Sequence, residues 1–218
     1  MALDKTFPNI DLSTYQGVLL DLDDTLYDYQ DMHPKALLAC YNTFRNFWTQ
    51  TGLDYCTMEE LYTDYRSQIT KRLNFGSSCR SRLFAFQEIL TNLKTSRPYD
   101  LAIQLEDCYW NYFLQNITVY PSALKFLEKI KAHSLPVCLI TDMQHHYQIK
   151  KVLALKIDSY IDHIVSSDIV GVEKPDALIF SAALATLKVN ADQVIMIGDS
   201  KEKDQVGATN LGIKCYLV

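Results

Sequence analysis

Asp21, Asp23 and Asp24 crowd into four positions directly behind a short apolar run, in the stretch VLLDLDDTLYD at 18–28. Carboxylates this close repel one another, which raises their pKa values unless a cation or a proton relieves the repulsion. A cluster of this kind at the end of a buried strand asks for a metal or for acid–base chemistry. Taken alone, Asp21 and Asp23 read equally well as a solvated turn. Further along stand Thr141-Asp142 behind PVCLI, Lys174 in GVEKPD, Gly198-Asp199 behind VIMI, and Asp204 five residues on. Paired carboxylates with Asp199 make an all-oxygen donor set, which suits Mg2+ rather than zinc. The Thr141 hydroxyl and the Lys174 ammonium are its complement, able to hold the non-bridging oxygens of a phosphoryl group. One carboxylate can attack as nucleophile, and another two residues on can protonate a leaving oxygen and later activate water. Plainer readings stand beside these: Thr141 as a helix N-cap, Lys174 as a surface lysine, and Asp204 as an acid favoured by a helix dipole.

The elements that must position these residues fall into two blocks. Residues 17–22 read as a buried strand. From about 32 to 116 the apolar spacing is helical. Pro34 suits a first turn, with Ala36, Leu37, Cys40, Tyr41, Phe44, Phe47 and Trp48 repeating behind it. Thr57 with Glu60 reads as a capping box opening a second helix to about Leu73. Leu83, Phe86, Ile89, Leu90 and Leu93 mark a third, and Pro98 opens a fourth to about Leu114. After Tyr120-Pro121 helices and strands alternate: helix 123–133, strand 136–140, helix 144–155, strand 163–166, helix 175–187, strand 194–198, helix 204–211 and strand 214–218. This alternation implies an α/β fold, a three-layer Rossmann-like parallel sheet. The gap of over a hundred residues between the first two strands makes the helical block an insertion. Ligands of such sheets bind beyond the carboxyl ends of the strands, where Asp21, Asp23, Thr141, Asp142, Lys174 and Asp199 all fall.

Composition narrows the function. The 218 residues are 48 % apolar, enough for a sizeable core, and the formal net charge is −5 with no run of Lys or Arg. A phosphate backbone wants a basic face, so nucleic acid is not the expected partner. No apolar run has the length of a membrane span. The opening MALDKTFPNIDLSTY has no apolar h-region and does not read as a signal peptide. The six Cys contain no CxxC pair, and together these features imply a cytoplasmic protein with reduced thiols.

The chain resembles the haloacid dehalogenase superfamily, in its phosphatase branch. DLDDT at 21–25, LITD ending at Asp142, GVEKPD around Lys174 and IGDSKEKD from Ile197 match that family's four signatures in order. The resemblance implies a Rossmann-like core, 1–27 and 118–218, and an inserted all-helical cap of the C1 type, 28–117. It implies that Asp21 is nucleophile and metal ligand. Asp23 would be general acid/base, with its backbone carbonyl on the metal. Thr141 and Lys174 would hold the phosphate, with Asp142 beside them. Asp199 would be a further Mg2+ ligand, and Asp204 would support the ligands or join them. Asp24 stands where many members carry Gly. Dehalogenases of the family lack the second acid, because a halide leaves without a proton, so Asp23 favours a phosphatase.

The implied activity is Mg2+-dependent hydrolysis of a small phosphorylated metabolite through an aspartyl-phosphate. A phosphomutase, a haloacid dehalogenase and a non-catalytic phosphate-binding module are the competitors. The substrate stays open among nucleotides, sugar phosphates and short acid phosphates, because the cap selects it. Arg80 and Arg82, in the insertion, either contact an anionic substrate or lie on a helix surface. Adjacent helical residues diverge by about 100°, so His145 and His146 read as surface groups rather than a metal pair. The aromatic residues of the insertion read as its own core.

Overall fold

Four apolar residues without a polar break make Gly17–Leu20 (β1) a strand buried on both faces, as expected for the middle of a parallel sheet. A computed structural model of the chain describes residues 4–74 and 76–218; the first three residues of the N-terminal stretch and position 75 lie outside the described residues. Val137–Thr141 (β2), His163–Ser166 (β3), Val194–Gly198 (β4) and Lys214–Leu217 (β5) complete a five-stranded sheet in the order β3-β2-β1-β4-β5. All its pairings are parallel, and Leu20 lies level with Leu139 on one side and Ile197 on the other. From β1 the chain builds outward to β2 and β3, then returns to the opposite side of β1 for β4. The strand order therefore reverses between β1 and β4, the place where open α/β sheets bind ligands.

The chain divides into two compact units. One comprises Met1–Tyr29 with Ile117–Val218, the other Gln30–Asn116. In the α/β unit, Pro121–Ala132 (α6), His145–Ala154 (α7), Ser167–Val170 (α8), Ala177–Leu187 (α9) and Val206–Asn210 (α10) connect the strands. Leu19, Cys138, Ile140, Val194 and Met196 pack with Ile179, Phe180 and Ala183 of α9 and Ala208 of α10 into one buried cluster. The last helical segment begins earlier than residue 204: Lys201–Gln205 forms a π-type turn, capped by the Ser200 hydroxyl at Lys203 N–H.

The second unit is helical: Tyr29–Thr43 (α1, whose first residue belongs to the other unit), Arg45–Gln50 (α2), Tyr55–Arg72 (α3), Arg82–Asn92 (α4) and Pro98–Asn116 (α5). Three local expectations change. Pro34 lies inside α1 rather than in its first turn, where its missing N–H removes one helical hydrogen bond. Asp54, not Thr57, caps α3, its carboxylate accepting the Thr57 N–H at 2.9 Å, in keeping with the stronger capping of Asp. The spacing from Ala36 to Trp48 is not one helix, because the chain breaks at Phe44. Trp48, Tyr109, Trp110 and Phe113 are buried, while Tyr41, Phe44, Phe47 and Tyr112 are half-buried.

Candidate active site

Asp21 follows β1 directly and is buried. Its Oδ1 accepts a hydrogen bond from Lys174 Nζ at 2.5 Å, and its Oδ2 accepts one from the Thr25 hydroxyl at 2.9 Å. That hydroxyl also lies 3.3 Å from Asp199 Oδ1, behind β4. Lys174 Nζ donates a second bond to Asp204 Oδ1 at 2.7 Å, and the Ser200 N–H donates to Asp204 Oδ2 at 3.0 Å. Strand ends, the loop before α9 and the π-type turn thus deliver three acids and one cation to a single buried point. Gly198 makes room for it, since a Cβ there would stand 2.2 Å from Asp204 Oδ2.

One carboxylate oxygen each from Asp21, Asp199 and Asp204 lies within 4.8 Å of the others. Burial pushes the Asp21 carboxyl up to about 8 against the pull of Lys174, and the charges of Asp204 and Asp199 add to the rise. Asp199 is raised as well, by burial and then by Asp204 and Asp24. Burial disfavours the Lys174 ammonium, but Asp21, Asp204 and Asp142 outweigh it and hold the group above the usual lysine range. Asp21 and Asp199, raised by burial and by neighbouring acids, make with Asp204 a set of oxygen donors alone, which fits a hard divalent cation such as Mg2+.

Asp23 points into a different environment. Lys151 Nζ, on α7, donates to its two oxygens at 2.7 and 2.8 Å, the Tyr27 hydroxyl donates to Oδ1, and Gln148 Nε2 lies 3.4 Å from Oδ2. Burial works to raise this carboxyl, yet the charge and hydrogen bond of Lys151, with hydrogen bonds from Tyr27 and Gln148, leave it below the usual carboxylate range. Asp24 adopts φ 61°, the left-handed region that Gly enters freely and Asp tolerates, so residues with that freedom suit the position. Its carboxylate accepts the Tyr29 N–H at 2.9 Å.

Thr141, the last residue of β2, is buried and its hydroxyl accepts a hydrogen bond from Gln148 Nε2. The Asp142 carboxylate accepts the Lys174 backbone N–H at 2.8 Å and the Lys203 ammonium at 2.7 Å, so its side chain fixes the loop that carries Lys174. His145 Nδ1 lies 3.1 Å from Ser166 Oγ, while His146 is exposed.

Arg80 and Arg82 belong to the helical unit. Arg80 ends a short 3-10 turn and is half-buried. Arg82 is buried, donates to the Arg80 carbonyl at 2.6 Å and lies over the rings of Tyr109 and Trp110 at 5.2 and 5.3 Å. Sequence reasoning missed Thr25, Tyr27, Gln148, Lys151 and Lys203. Thr25 was the accessible one, as a hydroxyl inside the first motif; Lys151 follows another lysine and looks like helix surface.

The family model for haloacid dehalogenase-like hydrolases matches residues 18–218. A ribulose-1,5-bisphosphate 5-phosphatase from Halopiger xanaduensis is 27 % identical over 92 % of this chain and 83 % of its own length. A glyceraldehyde 3-phosphate phosphatase from Pyrococcus abyssi is 30 % identical over 90 % of this chain and 78 % of its own. Among solved structures, a 2-haloacid dehalogenase from Pseudomonas syringae pv. Tomato superposes with a TM-score of 0.76 at 22 % identity, covering 93 % of this chain and 86 % of that one; it shares the fold. The chain belongs to the haloacid dehalogenase-like hydrolase family, and within it to the phosphatases.

Proposed function

We propose that this phosphatase is a Mg2+-dependent phosphomonoester hydrolase that works through an aspartyl-phosphate on Asp21. The observation that carries the reading is the buried meeting of Asp21, Asp199 and Asp204 with Lys174, with Asp23 two residues behind the nucleophile. Asp21 Oδ attacks phosphorus as the bond to the leaving oxygen breaks, and Asp23 gives that oxygen a proton. A water molecule then attacks the same phosphorus, Asp23 takes its proton, and the bond to Asp21 breaks to release inorganic phosphate. Lys174 and the Thr141 hydroxyl hold the non-bridging oxygens, with Asp142 keeping the Lys174 loop in place. Asp21, Asp199 and the Asp23 carbonyl would hold Mg2+, with Asp204 in support. The ion supplies charge neutralisation for the phosphoryl oxygens.

The substrate we infer is a small phosphorylated metabolite of the sugar-phosphate kind, on the strength of the two named relatives. The helical unit takes the part of a C1-type cap and selects it, with the half-buried Arg80 as its candidate contact, while Arg82 is buried over Tyr109 and Trp110. We place the enzyme in the cytoplasm; no helix among the described residues is long and apolar enough to cross a membrane. Asp23 speaks against a dehalogenase, whose halide would leave without its proton. The test is phosphate release from 4-nitrophenyl phosphate and a panel of sugar phosphates, with and without Mg2+. Chelation and Asp21→Asn should each lower kcat/KM by about a thousandfold or more, the scale of losing a nucleophile or its electrostatic support. Activity that survives either treatment overturns the mechanism.

A further inference from the structure

The mechanism above leaves Lys151 without a part, although it is one of the more costly residues in the α/β unit. Its side chain is fully buried, and burying an ammonium is unfavourable unless its charge and hydrogens are satisfied. Helix α7 buries Gln148 and Lys151 beside Tyr147 and Val152, although Ile149 and Leu153 of the same helix are exposed. Besides the two bonds to Asp23, Lys151 Nζ lies 3.4 Å from Met143 Sδ and over the rings of Tyr27 and Tyr29 at 6.0 and 5.5 Å. Asp23 is therefore gripped at both oxygens, with Tyr27 adding a second bond to Oδ1. Gln148, one turn before Lys151 on the same helix, joins Asp23 to Thr141 through a single amide nitrogen. The carboxylate that handles the proton and the hydroxyl that holds the phosphate are thus tied to one rigid face of α7.

We propose that Lys151 and Gln148 are positioning residues that fix the Asp23 carboxylate relative to the Thr141 hydroxyl, so that Asp23 faces the oxygen leaving the phosphorus that Thr141 helps to hold. Neither residue exchanges a bond or touches substrate. The inference rests on the reading of Asp23 as general acid.

Paired leaving groups test it. 4-Nitrophenolate departs without needing a proton, whereas phenolate gains much from one. The steps reported by kcat/KM run through departure of the leaving group. Comparing 4-nitrophenyl phosphate with phenyl phosphate in one preparation, at saturating Mg2+, cancels the folded fraction. Lys151→Met should lower kcat/KM for phenyl phosphate by about 10–100-fold, part of what a general acid contributes, and for 4-nitrophenyl phosphate by less than about threefold. Gln148→Leu should shift the ratio in the same direction by a smaller factor, and Lys151→Arg should restore part of the phenyl phosphate rate. Equal losses on both substrates, or none, overturn the inference; if Lys151→Met does not fold, the Gln148→Leu ratio decides by the same criterion. Asp23→Asn separates the two layers. If it discriminates between the leaving groups and the α7 variants do not, the positioning inference falls alone. If it does not discriminate, the reading of Asp23 as proton donor falls and takes the inference with it.

Discussion

Lys174 in the α/β unit and Arg82 in the helical unit are both buried cations, set in different chemistry. Lys174 lies 2.5 and 2.7 Å from the carboxylates of Asp21 and Asp204. Arg82 lies across two aromatic rings and bonds a backbone carbonyl. Near it, burial pushes the Glu106 carboxyl up, with the Leu83 N–H and the Arg82 charge opposing the rise. In the first setting the cation answers two buried carboxylates, and removing either side would leave the other's charge unpaired. In the second the long side chain fills an aromatic core, and its charge gains a cation–π contact and a hydrogen bond. The comparison teaches that burial of a charge is not by itself a mark of a site: what faces the charge decides.

Lys174→Met should have the largest effect. It leaves Asp21 and Asp204 buried without their cation, a loss on the order of 3–5 kcal/mol when one partner of a buried pair is removed. It should also abolish phosphate release, read alongside a denaturant melt of the same preparation. A variant that keeps both activity and stability would break the contrast with Arg82.

His33 sharpens the helical half. Its Nδ1 lies 2.7 Å from the Tyr109 hydroxyl, and burial, with the charges of Arg82 and Arg66, pushes its pKa down to about 3 from 6.5. The folded imidazole is then neutral where an unfolded one would be protonated. Between these values the unfolded chain binds the extra proton, so stability falls as pH is lowered from about 6.5 towards 3. The slope is at most about 1.4 kcal/mol per pH unit. Both Trp residues of the chain, Trp48 and Trp110, lie in the helical unit, so tryptophan fluorescence in urea follows that unit. His33→Gln should flatten the decline between pH 7 and 5; an unchanged slope would assign it to other groups.

Arg82→Met should have the smallest effect. Losing the contacts over Tyr109 and Trp110 and the hydrogen bond to the Arg80 carbonyl, with the packing volume kept, should cost about 1–2 kcal/mol in the same fluorescence melt. A loss as large as that of Lys174→Met would show that the two cations are held alike after all.

Much of the fold was legible because its signals are local. Unbroken apolar runs such as VIMIG mark strands buried on both faces, and their alternation with helices implies a parallel sheet. Where spacing alone was used, it slipped: the apolar repeat runs across Phe44 without registering the break, and Thr57 looks like a cap until Asp54 takes the place. Asp21, Asp142 and Asp199 were legible because each follows a strand end, where the chain direction in a parallel sheet delivers them to one edge, whereas Asp204 arrives from the π-type turn. Asp24 became intelligible only with its φ of 61°, a backbone demand that the residue letter does not show.

By itself the sequence determined which chemical groups reach the carboxyl edge of the sheet, because strand direction and residue type are both written locally. It did not determine what those groups face. Asp21 and Asp23 are two residues apart, yet one is gripped by Lys174 from 153 positions away and the other by Lys151 from 128. Those pairings depend on how α7 rotates and where the loop before α9 runs. On α7 the lysine is buried and its charge is met by the two Asp23 oxygens, while Ile149 and Leu153 of the same helix are exposed. Which carboxylate sits beside the other acids and which is held apart on a lysine was settled by tertiary structure alone.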